Sequence, residues 1–309
     1  MNAASVSIAD VGSGRTIATV PTGEGPHEIA VSGDGRRAVV SVYGNRTAVG
    51  TSLLLIDLAT PTVTRAIELS PGNQRPHGLA FLPGDRTLLV TSEWAQRVLV
   101  VDIESGAIDT SIVTGQATTH MVALTRDGSR AFTTNIAAMS VSAIDVRART
   151  VSGTFPVGAR IEGIAVTPDG SEVWVGGNES HAVYVLDGAT GAMKHTLDGF
   201  GMAYRIGITP DARTAVISDP GAEQIHIVDV RTHRSRAVIA VPPMEGPDAG
   251  KGASPQGVTI SRDGKTAFVT LKSAARVAVV DIAAAKIVAT LPVGAGSDGV
   301  GFSPLIFLR

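Results

Sequence analysis

Three of the seven histidines in this 309-residue chain, His27, His77 and His120, fall at one recurring position. Glu162, Arg205, Gln256 and Asp298 continue the series, at spacings of 50, 43, 42, 43, 51 and 42 residues. Most are followed by a small or apolar strand start, as in HEIA, HGLA, EGIA, QGVT and DGVG. Three imidazoles converging on one point form the donor set of a zinc site with an open position. Fe or Cu also accepts nitrogen and carboxylate ligands. The expected cofactor is therefore a divalent transition metal, zinc first, on His27, His77 and His120. Glu162 would be a fourth ligand or a base. The planar fork of Arg205 suits a substrate carboxylate or a developing anion. Gln256 and Asp298 would line the substrate side.

Such convergence requires a ring of like elements, and the sequence supplies one. An aspartate closes an apolar run at Asp10, Asp57, Asp102, Asp145, Asp187, Asp229 and Asp281, spaced 47, 45, 43, 42, 42 and 52 residues apart. A hairpin turn recurs at Asp34-Gly35, Gly84-Asp85, Asp127-Gly128, Asp169-Gly170, Asp211-Ala212 and Asp263-Gly264. Seven copies at this period predict an all-β, seven-bladed β-propeller of four-stranded antiparallel blades. The chain begins on a third-strand pattern, SVSIAD, and ends on a first-strand pattern, DGVGFS, with a short last segment, LIFLR. The expectation is one domain over residues 1–309. Its seventh blade would be closed by two N-terminal strands (about 1–21) and two C-terminal ones (298–309), hiding the sheet edges. The repeated aspartates read as a turn device of the blade, not as metal ligands.

These repeats resemble the YVTN family of β-propellers, most clearly in TPDGSEVWVGGNESHAVYVLDGATGAMKHTL and its six relatives, over essentially the whole chain. The resemblance implies the fold and says little about activity, because propellers host many functions.

In each blade the innermost strand starts at the face that also carries the loop between the second and third strands. Two long insertions, residues 43–52 and 242–255, rise there. Long loops on a rigid scaffold are where binding sites gather. Arg46, Glu93, Trp94, Asn135, Met139, Asn178, Glu179, His181, Asp219 and Lys272 come from these loops. Arg46 is a candidate substrate contact, Trp94 and Tyr204 are candidate stacking residues, and His181 is a candidate general acid/base. His226 reads as structural, and His195 and His233 have no assigned role.

With 26 basic and 28 acidic residues and no charge run, the chain has no nucleic-acid footprint. No apolar stretch is long enough to span a bilayer. No secretory signal is visible in residues 1–10, so a cytoplasmic location is expected, or a periplasmic or secreted one if a leader was removed. Cysteine is absent, which excludes thiol catalysis and thiolate ligands. The segment GAGSDG at residues 294–299 matches G-x-G-x-x-G but precedes no helix, so it is not a dinucleotide site. Three functions stay open. The first is a metal-dependent lyase, isomerase or hydrolase acting on a small molecule at the channel mouth. The second is metal-free catalysis by His, Glu and Arg, as in lactonase- or cycloisomerase-like propellers. The third is a binding or surface-layer-type module. The oligomeric state is unknown.

Overall fold

Runs such as RAVVSVYG and RVLVVD are rich in β-branched residues and bounded by turns, Asp34-Gly35 before the first, so they extend and pair rather than coil. In the computed structural model, which describes residues 4–305, these runs build a propeller. β1 (Ser5–Asp10) and β2 (Arg15–Pro21) form one hairpin. Six four-stranded antiparallel blades follow. The first is β3 (Pro26–Val31), β4 (Arg37–Gly44), β5 (Val49–Asp57) and β6 (Thr62–Glu68). The second is β7 (Pro76–Phe81), β8 (Thr87–Ser92), β9 (Arg97–Asp102) and β10 (Ile108–Val113). The third is β11 (Thr119–Leu124), β12 (Arg130–Asn135), β13 (Ser140–Asp145) and β14 (Thr150–Pro156). The fourth is β15 (Ile161–Val166), β16 (Glu172–Gly177), β17 (Ala182–Asp187) and β18 (Met193–Asp198). The fifth is β19 (Ile206–Ile208), β20 (Thr214–Asp219), β21 (Gln224–Asp229) and β22 (Arg234–Ala240). The sixth is β23 (Pro255–Ile260), β24 (Thr266–Leu271), β25 (Arg276–Asp281) and β26 (Lys286–Pro292).

The seventh blade is built as expected on its N-terminal side, by β1 and β2. On its C-terminal side the segment expected as the inner strand carries no ladder. It packs through Val300 and Phe302 against Phe268, Val277 and Leu291 of the sixth blade, and Leu305 packs against the first. The expected last strand, LIFLR at 305–309, lies outside the described residues except for Leu305. Gly299 closes the ring by donating its backbone N–H to His27 O at 3.2 Å. A Cβ there would lie 2.5 Å from that same oxygen, so the approach requires glycine.

Core clusters lie between blades. One joins Val216, Ile225 and Ile227 of the fifth blade to Ala267, Val269 and Val280 of the sixth. Face-to-face packing of this kind explains why the middle strands read apolar throughout. The repeated aspartate is a turn device. Asp57 Oδ1 accepts from Ala59 N and Thr60 N, both at 2.8 Å. Equivalent bonds recur at Asp102, Asp145, Asp187, Asp229 and Asp281.

One polar cluster stands apart from the axis. The buried carboxylate of Glu172 takes Lys194 Nζ at 2.6 Å, Trp174 Nε1 at 3.0 Å and His233 Nε2 at 3.1 Å. The His233 ring stacks on His195, with centroids 3.9 Å apart. Burial pushes the Glu172 carboxyl up, but the Lys194, His233 and Trp174 bonds outweigh it and hold it below the usual 4.5. A depressed carboxylate contributes stability that is fully present above its unfolded pKa and is lost as pH falls through the folded one. As pH falls below 4.5 the parent should therefore lose urea resistance more steeply than Glu172→Gln. Parallel curves would contradict this.

Candidate metal centre at the channel mouth

The inner strands are stitched edge to edge, and the stitches aim the axial residues. A hydroxyl on the second strand of one blade accepts the backbone N–H just after its own axial residue. Gly78 N bonds Thr91 Oγ1 at 2.8 Å and Gly257 N bonds Thr270 Oγ1 at 2.7 Å. The same hydroxyl donates to the axial carbonyl of the next blade. Thr91 donates to His120 O, Thr134 to Glu162 O at 2.8 Å, and Thr270 to Asp298 O at 2.9 Å. Both bonds hold the backbone at His120, where Met121 N also bonds Thr134 Oγ1 at 3.2 Å, and one of the two holds it at His77, Glu162, Gln256 and Asp298.

This pattern corrects one register. In the fifth blade it is Arg205 N that bonds Ser218 Oγ, at 3.1 Å, and Ile206 pairs with Ile217 as Ile29 pairs with Val40. Tyr204 therefore occupies the axial position, and Arg205 comes one residue later, at the place Glu28 holds in the first blade. Elsewhere that place is mostly glycine, because a Cβ at Gly78, Gly163 or Gly257 would run into the neighbouring inner strand at 2.0–2.8 Å.

The three histidines lie side by side. The His27 and His77 centroids are 4.3 Å apart, and those of His77 and His120 are 3.6 Å apart. Donor atoms of His27, Glu28 and His77 lie within 4.8 Å of one another, as do those of His77, Glu93 and His120. Among the described residues, His27 Nδ1, His77 Nδ1 and His120 Nε2 are buried without a hydrogen-bond partner. Burial, reinforced by the charges of His120, His27 and Arg205, holds the His77 pKa well below 6.5, so its imidazole is neutral and its lone pair available. His120 is oriented from behind, with Nδ1 bonded to Glu93 Oε1. Glu93 Oε2 accepts from Tyr43 Oη at 2.6 Å. Burial and the Glu93 carboxylate raise the Tyr43 pKa, so the phenol keeps its proton and donates it.

Arg205 crosses the axis. Its Nη2 donates to Glu28 Oε1 at 2.8 Å and its Nη1 to Glu162 Oε1 at 3.0 Å. Glu162 Oε1 also lies 3.3 Å from His120 Nε2, and its other oxygen accepts from Asn178. Burial would raise both carboxyls. Against it, Arg205 and His27 bring Glu28 down to about 2, and Arg205, His120 and Asn178 hold Glu162 well below the usual carboxylate range. Arg205 therefore has both terminal nitrogens engaged by the protein, and a substrate carboxylate would have to displace one of them.

The remaining sequence candidates lie further out. Asp298 takes Lys272 Nζ at 3.0 Å and lies 3.5 Å from Tyr204 Oη, and Lys272 also reaches Gln256 Oε1 at 3.1 Å. Trp94 is 57% exposed and faces the Arg75 guanidinium at 5.4 Å, and Arg46 is exposed on its loop. His181 is exposed, its Nδ1 bonding Gly201 O at 2.7 Å, and no described contact joins it to the histidine row. His226 is buried against Asp219 and Phe200.

One site residue, Glu28, escaped sequence reasoning; its signal is a charged side chain where most other repeats carry glycine. A second tier stands sixteen residues after the axial one, at Tyr43 and at the expected mouth residues Glu93, Asn178 and Lys272; the last three bond axial residues of their own or the next blade, and Tyr43 bonds Glu93 and meets the His27 and His77 rings edge-on. A fixed offset of polar residues in four repeats was the readable signal.

Fold and site together define a β-propeller with a buried histidine–carboxylate row on its axis. No protein-family model and no curated protein matches the chain. Among solved structures it is similar to the hydrazine synthase of Kuenenia stuttgartiensis, with a TM-score of 0.74 and 18% identity over 88% of each chain. Identity at that level carries the fold alone.

Proposed function

We propose that this chain is a metal-dependent enzyme of the YVTN-propeller type, acting on a small molecule at the channel mouth by a lyase, isomerase or hydrolase reaction. The observation that carries the reading is the row of three buried imidazoles whose His27 Nδ1, His77 Nδ1 and His120 Nε2 make no well-formed hydrogen bond, the first and last lying 3.6 and 3.3 Å from the Glu28 and Glu162 carboxylates. Buried polar atoms are ordinarily satisfied, and a row of buried imidazoles that includes the neutral His77 suits a zinc ion, or Fe or Cu.

Charge balance supports the same reading. Three buried carboxylates, Glu28, Glu93 and Glu162, face a single guanidinium in this cluster. A divalent cation binds deprotonated imidazole nitrogens and would then cancel the remaining formal charge, and unbalanced buried charge is costly. The Glu93–His120 bond is the carboxylate support that metal-bound histidines usually have. When bound, the metal would supply Lewis acidity and a lowered pKa for a coordinated water. The protein's part is positional. Glu93 fixes the His120 ring, and Arg205 fixes Glu28 and Glu162. Glu162, held low, suits a ligand better than a base working near neutrality.

The Glu93–His120–Glu162 chain also favours a second reading, metal-free proton transfer through His120, whose pKa is raised because its carboxylate partners outweigh burial. A Co(II) titration followed by visible absorption separates the two. The metal reading predicts ligand-field bands that saturate at about one equivalent. Absence of bands, with Zn equally unbound in competition, would leave the second reading.

A further inference from the structure

The sequence match at residues 294–299 has another use. These residues, with Ser5–Ser7 strand atoms and Pro26, His27 and Glu28, enclose a cavity of about 140 Å³ between the sixth, seventh and first blades. Three of the residues that line it carry a buried polar atom with no hydrogen-bond partner among the described residues: Asp298 at Oδ1, Ser297 at Oγ and His27 at Nδ1. The Asp298 side chain is only 3% exposed. Its other oxygen is held by Lys272, so Oδ1 is fixed in direction. The lining offers two carboxylates, and the nearest cations bind them from elsewhere, Lys272 on Asp298 and Arg205 on Glu28.

We infer that this cavity is a substrate subsite for a small, uncharged or cationic molecule bearing hydroxyl or amine donors, with Asp298 Oδ1 and Ser297 Oγ as its acceptors. The inference rests on the proposed function, since the cavity places such a molecule beside His27. Acceptors that are buried and unsatisfied favour a donor-bearing ligand and reject an anion. A cavity of this volume holds roughly six heavy atoms, the size of benzene.

Isothermal titration with ethanolamine, ethylene glycol and acetate, on metal-free and Zn-loaded protein, tests this. Ethanolamine and ethylene glycol should bind and acetate should not. Asp298→Asn should weaken ethanolamine binding at least about tenfold. Ser297→Ala should weaken it less and covers the case in which freeing Lys272 prevents folding. Equal binding of acetate, no binding of either donor probe, or unchanged binding in both variants would overturn the inference. Zn uptake measured on the same samples is a separate readout. Donor binding without Zn uptake would sink the metal reading and leave the subsite standing, and Zn uptake without donor binding would do the reverse.

Discussion

Arg205→Met should be the most destabilising single change on the axis, lowering unfolding free energy by about 3–5 kcal/mol. The Arg205 side chain is 6% exposed and bridges two carboxylates that are themselves mostly buried. Methionine approximates its volume but leaves Glu28 and Glu162 facing each other with no cation between them. Glu28 would then lose the partner that brings its pKa to about 2. Lysine would not repair the defect, because a point charge cannot serve two carboxylates as a planar fork does. Two further variants separate charge from packing. Arg205→Met combined with Glu28→Gln, or with Glu162→Gln, should recover part of the loss. A single Arg205→Met variant within about 1 kcal/mol of the parent in urea unfolding would refute the bridge as a major term.

Glu93→Ala should weaken Zn binding about 10–100-fold. Glu93 touches the His120 ring from the side opposite the unpartnered Nε2, so it sets which nitrogen carries the proton. Without it the ring can turn or adopt the other tautomer, and Tyr43 loses its acceptor. Glu93→Gln, able to keep one hydrogen bond, should recover part of the affinity. A competitive titration against a chelating dye measures it. Equal affinity in all three proteins would show that Glu93 is a packing residue and not a positioning one.

The propeller was legible because its signals are local and repeated. The aspartate turns each satisfy neighbouring backbone N–H groups, and such bonds depend only on a short stretch of chain. The axial row was legible for the same reason, apart from Arg205. In GMAYRIG both Tyr204 and Arg205 are polar or amphipathic, and the glycine that marks the following position in HGLA, EGIA and QGVT is displaced. Periodicity alone could not choose between them, and the Ser218 bond decides. Contacts between blades were not legible. Glu28 meets Arg205 across 177 residues, and Glu93 meets a histidine of the next blade. Packing of neighbouring blades brings the second pair together, and only the ring brings the first together. Arg46, Trp94 and His181 show the converse limit, because a shared face places residues at the mouth without directing them toward the axis.

The most direct test of the metal centre is elemental analysis of protein purified without chelator, beside the His27→Ala/His77→Ala/His120→Ala variant. About one equivalent of Zn, Fe or Cu in the parent, and none in a variant that remains folded, is the predicted result. A parent that holds no transition metal and takes none up on reconstitution, or a variant that holds as much as the parent, would contradict the account.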